Sequence, residues 1–165
     1  MAAIARLFDL INQTISMAVR WLALAMVLVQ FSIVVGRYVF GINSVAVQES
    51  VLYMHSALFM LAAGYTLLVD KHVRVDVFYA KLGDKARRRI DLFGHFFLLI
   101  PSMLALLYWS WPSVRSSWSI LEGPLSVGGI KAVFLLKSLI PAFCILVLIQ
   151  SVAILLRLLS EEKSS

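Results

Sequence analysis

Apolar positions dominate the chain, and the polar positions that interrupt them gather into a few short clusters. Four apolar stretches reach the roughly 20 residues that a helix needs to cross a hydrocarbon core. They predict membrane-spanning helices at about 18–40, 48–69, 90–113 and 133–157. The cores of the last three, 50–69, 92–114 and 138–156, contain no Asp, Glu, Lys or Arg. The first tolerates Arg37 near its far end, where a long side chain can snorkel to the headgroups. Pro101 and Pro141 fall inside spans and predict kinks. Ahead of the first span, Ile4, Leu7, Phe8, Leu10 and Ile11 alternate with Arg6, Asp9, Asn12 and Gln13, which predicts a short interfacial helix at about 3–15. Val73, Val75, Val77 and Tyr79 alternate at strand spacing, but a lone strand at a bilayer leaves its backbone unpaired, so a short surface helix or a buried loop is expected there. The expected fold is an all-α integral membrane protein. Its four transmembrane helices form one membrane domain over 1–165, with an inner loop at 70–89 and an outer connection at 114–132.

Composition agrees with that pattern. At 61% hydrophobic and 15% charged, the chain lies outside the range of soluble globular domains. A formal charge of +6 would ordinarily raise nucleic acid as a partner. Here the basic residues sit in the turns between apolar runs, where anionic lipid headgroups account for them, and nucleic acid is not expected. Arg6, Arg20, Lys71, Arg74, Lys81, Lys85, Arg87, Arg88, Arg89, Arg157 and Lys163 all fall on one side of a four-span drawing. The positive-inside rule makes that side cytoplasmic and puts both termini there. The first apolar run is long for a secretion signal, carries Arg37 and is followed by further spans, so it is read as a retained helix. Cys144 is the single cysteine, inside an apolar run, and is expected to act as a small packing residue.

Few side chains remain for chemistry. Arg37 closes the first span and Glu49 opens the second, so an ion pair across this hairpin is expected, with contact to a partner as the functional alternative. Glu49, Tyr53, Ser56, Met60 and Ala63 share one helical face, as do Lys137, Pro141, Cys144, Leu148 and Ser151; such small or weakly polar faces suit close helix packing. His72, Arg74 and Asp76 alternate after the second span without a nucleophile or a metal-ligand set beside them. Asp70 and Asp76 are expected to hold Arg74 and nearby lysines in a knot that pins the inner loop. Only His55 and His95 could ligate haem within the spans, as in a four-helix anchor of a respiratory complex. Their depths differ by roughly 15 Å at a rise of about 1.5 Å per residue, which argues against one shared haem. No Gly-Xaa-Ser-Xaa-Gly, no His-Glu-Xaa-Xaa-His and no paired intramembrane aspartates occur. The expectation is therefore no enzyme, no catalytic residue, no metal and no cofactor. The spans also lack the several charges of a self-contained ion pathway, which favours a subunit over a complete transporter.

The run Gly36-Arg37-Tyr38-Val39-Phe40-Gly41, then Glu49, then His72-Val73-Arg74-Val75-Asp76, closely resembles the small membrane subunit of TRAP (tripartite ATP-independent periplasmic) transporters, the DctQ type. The similarity continues through Ala86-Arg87-Arg88-Arg89-Ile90-Asp91, Glu122-Gly123-Pro124, Gly128-Gly129 and the stretch from Leu135 to Pro141, covering roughly 20–157. The resemblance implies a bacterial inner-membrane system with three parts: a periplasmic solute-binding protein, a large permease subunit and this small scaffold. The large subunit would hold the substrate and sodium sites and move an organic acid by an elevator-like motion. Some members carry paired acidic residues where this chain has Gln48-Glu49, which counts against a two-carboxylate ion site here. Arg37, Glu49, His72, Arg74, Asp76, Glu122 and Lys137 become candidates for structural or partner contacts. The outer connection around Trp118 and Glu122 is the candidate surface for the solute-binding protein, or else a connector resting on the headgroups.

Overall fold

The computed structural model describes residues 2–70, 83–124 and 126–162, and every regular element among them is helical. His72, Arg74, Asp76 and the 73–82 stretch lie outside the described residues. Helix α1 spans Ala2–Val19 and meets α2, Trp21–Val39, after the single residue Arg20. Helix α3 spans Val45–Leu68. A third helical column is built from α4 (Asp84–Phe93), a π-helical segment (Gly94–Leu99) and α5 (Ile100–Ser119). Helix α6 runs over Val133–Glu162. Four helical stretches are long and apolar enough to cross a membrane.

The π-helical segment has a local cause. Pro101 sits in the first turn of α5, lacks an N–H, and its ring crowds the carbonyl four residues earlier. The helix widens just before it, and the Ile100 N–H reaches the His95 carbonyl five residues back. The kink signal at Pro101 thus takes the form of a π-helical segment that carries a buried histidine.

Helix α6 is the centre of the bundle. It packs against α1, α3 and α5, and Cys144, Leu146, Val147, Gln150, Ser151 and Ala153 along it are buried. The face anticipated from Lys137 to Ser151 therefore meets other helices of the same chain, with Pro141, Cys144 and Ser151 buried. Helix α2 is the opposite case. Apart from its chain neighbour α1 it packs substantially only on α3, and none of its residues is buried.

Helix α1 inverts the usual amphipathic rule. Its inward stripe is Ala5, Asn12 and Val19, spaced by two turns, while Ile4, Leu7 and Leu10 are exposed. A lipid-contacting helix can turn its apolar side outward, because hydrocarbon solvates those side chains as well as a core does.

Candidate functional site

At one end of the bundle the connection between α5 and α6 folds over the start of α3. Glu49, in the second turn of α3, accepts a hydrogen bond from the Ile130 backbone N–H at 2.7 Å on Oε2 and another from the Ser126 hydroxyl on Oε1. Gly129 passes so close that a Cβ there would lie 2.5 Å from both carboxylate oxygens. Gly128 turns the loop with φ +82°, a conformation open to glycine at little cost. Deeper on the same face of α3, the Tyr53 hydroxyl points at the Ile130 carbonyl, 3.5 Å away.

Glu122 fastens the other side of this connection. Its N–H donates to the Ser117 carbonyl at 3.0 Å and its carbonyl accepts from the Val133 N–H at 3.1 Å. Its carboxylate pairs with the Lys137 ammonium at 2.5 Å, and that neighbour holds the Glu122 carboxyl below its ordinary range. Trp118 donates from Nε1 to Ser138 Oγ at 2.7 Å and sets its ring edge-on to Phe134, with centroids 4.8 Å apart. The outer connection is thus tied to α3 through Glu49 and to α6 through Glu122. Trp118, in the last turn of α5 rather than in the connection expected at 114–132, fastens α5 to α6 beside it.

The expected Arg37–Glu49 ion pair does not form. Successive residues of a helix point about 100° apart, so Gln48 takes the face toward α2 while Glu49 turns toward the 120–132 connection. Arg37 is exposed, and among the described residues no carboxylate lies within ion-pair distance of it. It heads a groove of about 540 Å³ between α2 and α3. One wall is Met26, Gln30, Ile33 and Arg37 of α2; the other is Gln48, Val51, Leu52 and His55 of α3.

The opposite end is held by a polar network. Asp9 of α1 pairs with Arg157 of α6 and accepts from Gln150 Nε2 at 3.0 Å. Asn12 donates to Gln150 Oε1 at 2.9 Å and to the Leu146 carbonyl at 3.4 Å. Both Asn12 and Gln150 are fully buried, and Asn12 packs on Gly64 of α3, where a Cβ would come 1.9 Å from its Oδ1. Arg88 of α4 donates to the Leu158 carbonyl. At the level of Gln150, His95 Nδ1 lies 2.8 Å from Ser151 Oγ inside the contact of the third column with α6. His55 lies on the α2–α3 groove, stacked against Phe59, so the two histidines belong to different interfaces. Among the described residues no three His, Cys, Asp or Glu side chains gather as a metal ion would require.

The family is decided by a comparison of the sequence itself. The family model for the DctQ component of tripartite ATP-independent periplasmic transporters matches residues 25–161. The chain belongs to the DctQ family. A comparison with curated proteins returns no match. The DctQ subunit is the small permease component of a tripartite transporter that also has a large permease and a binding protein. It is a multi-pass membrane protein and a transporter component, not an enzyme.

The matched region holds Arg37, Glu49, Glu122 and Lys137 and leaves α1 outside. The structure joins Glu122 to Lys137, sends Glu49 to Ser126 and Ile130, and leaves Arg37 on a separate groove. Sequence reasoning missed the partnership of Asn12 with Gln150 and Gly64 in this DctQ subunit. A signal was present: Gln150-Ser151 interrupts an otherwise apolar span, and a buried amide needs a partner.

Proposed function

We propose that this DctQ subunit is a scaffold in a sodium-driven importer of an organic acid in the bacterial inner membrane. It braces a large permease subunit that carries the substrate and sodium sites, and works with a periplasmic solute-binding protein. The subunit needs no cofactor of its own. The observation that carries this reading is the Glu49 clasp: its carboxylate oxygens are engaged by Ser126 and Ile130 of the chain's own connection. A carboxylate used this way sets the shape of a surface rather than binding a transported ion. The basic cluster at Arg87, Arg88 and Arg89 and the Asp9–Arg157 end would face the cytoplasm, and the Glu49–Glu122 end the periplasm. His72, Arg74 and Asp76 would contribute to the cytoplasmic loop, and Glu122 and Lys137 would shape the surface offered to the binding protein.

The test is reconstitution of the subunit with its large permease in vesicles carrying a sodium gradient and supplied with the binding protein. Glu49→Gln is expected to lower uptake and recovery of the large subunit together. Normal co-purification with abolished sodium-driven uptake would show instead that Glu49 acts directly on an ion.

A further inference from the structure

The α2–α3 groove sets Gln30, Arg37, Gln48 and His55 among Met26, Ile33, Val51 and Leu52, so polar side chains stand where hydrocarbon would cover them. On α2, Met26, Gln30, Ile33 and Arg37 recur every three or four residues and so form one face. That face is about 16 Å long at 1.5 Å per residue, three turns of helix. Arg37 stands near the end of α2, within reach of the headgroups, but Gln30 lies two turns deeper, as His55 does relative to Gln48 on α3. Gln30, Arg37 and His55 are all exposed, and among the described residues neither Gln30 nor Arg37 meets a hydrogen-bond or ionic partner. An amide and an imidazole facing lipid tails leave polar groups unsatisfied, which hydrocarbon penalises. Acyl chains carry no group that could satisfy them. A protein helix does, and helix contacts in membranes are built from such side chains.

We infer that this groove is the seat of a helix of the large permease subunit, with a carboxylate of that helix opposite Arg37 and hydrogen-bonding side chains opposite Gln30 and His55. Three features favour this occupant over lipid. The polar groups continue two turns below the level at which a phosphate could meet Arg37. The positive charge is uncompensated within the described chain. Helix α2 has no buried residue and no substantial packing partner beyond α3 and its neighbour α1, so its groove-facing side is left uncovered. The inference rests on the subunit's remaining attached to a large permease, and it names the face used.

The experiment places a benzophenone amino acid at Leu52 in the groove and, separately, at Leu104 on α5. The two positions are similarly exposed, at 53% and 51%, so the contrast reports location rather than access. Each protein is co-expressed with the large subunit, irradiated in native membranes, and its adducts are identified by mass spectrometry. A covalent adduct with the large subunit from Leu52 and none from Leu104 is the expected result. An adduct from Leu104 alone, or a phospholipid as the adduct at Leu52, overturns the proposal. Arg37→Glu is expected to reduce recovery of the large subunit at least about tenfold, with Arg37→Lys retaining most of it. Unchanged recovery with Arg37→Glu also overturns the carboxylate assignment. If the unmodified subunit itself brings down no large permease, the scaffold reading fails at its base, whereas loss confined to the groove experiments fails this inference alone.

Discussion

Glu49 and Ile130 are 81 residues apart in the chain and are joined by a 2.7 Å hydrogen bond from the Ile130 N–H to the Glu49 carboxylate. That bond brings the start of α3 to the loop before α6, and with Ser126 it makes the outer connection a folded part of the bundle. The tight fit of Gly129 on the same carboxylate gives the arrangement a steric signature.

Gly129→Ala is expected to destabilise the subunit by about 1–3 kcal/mol, the usual cost of forcing a methyl group into filled space. The cause is specific, since the new Cβ would meet both oxygens of Glu49 at 2.5 Å. Combined with Glu49→Ala, the same substitution should cost much less than it does alone. Thermal unfolding of the four proteins in detergent measures the coupling; additive effects would show that Gly129 acts elsewhere.

Gly64→Ala should be at least as damaging, because its Cβ would fall 1.9 Å from Asn12 Oδ1 and 3.0 Å from the Leu146 carbonyl. Pairing it with Asn12→Ala removes the first clash and leaves the second. A partial recovery of the melting temperature is therefore expected, and a full recovery would mean that the backbone contact is harmless.

The Asp9 carboxylate serves both Arg157 and Gln150, so Asp9→Ala leaves a cation and a buried amide without their acceptor. The half-exposed Arg157 contributes little on its own. Loss of the acceptor for buried Gln150 costs about 1–3 kcal/mol. Amide hydrogen exchange in α1 is expected to rise about tenfold or more, with α5 unaffected. Equal exchange in both would separate the network from the docking of α1.

Acid should loosen the outer connection through Glu122. Its carboxyl, ordinarily near 4.5, is held lower by the Lys137 ammonium, so the folded state binds fewer protons than the unfolded chain. The contribution is complete at neutral pH and is lost as pH falls through the lowered folded value. With both side chains about one-third exposed, the effect is modest and salt-sensitive. Lys137→Met should flatten this part of the stability profile on the acid side of the ordinary carboxylate value; an unchanged acid limb would assign it to other carboxylates.

Membrane helices were legible from the sequence because their signal is local: every turn of a span must be apolar on its lipid side whatever its neighbours do. The family resemblance was legible for a related reason, since its motifs are short and ordered along the chain. The Glu122–Lys137 partnership was only half visible, as two charged residues flanking one loop. The error at Arg37 and Glu49 came from assuming that two opposite charges facing one short turn must meet, when one residue of helical pitch sends Gln48 and Glu49 to different neighbours.

By itself, then, the sequence determined the all-helical membrane class, the four apolar spans and the DctQ character of the chain, because these depend on composition and order within about twenty residues. Tertiary structure alone decided which polar groups became partners: Glu49 with Ile130 and Ser126, Asn12 with Gln150 over Gly64, and Arg37 with none among the described residues. Those choices depend on how whole helices rotate and cross. In an apolar bundle that rotation is set by a few small residues and buried amides, whose effect no local pattern records.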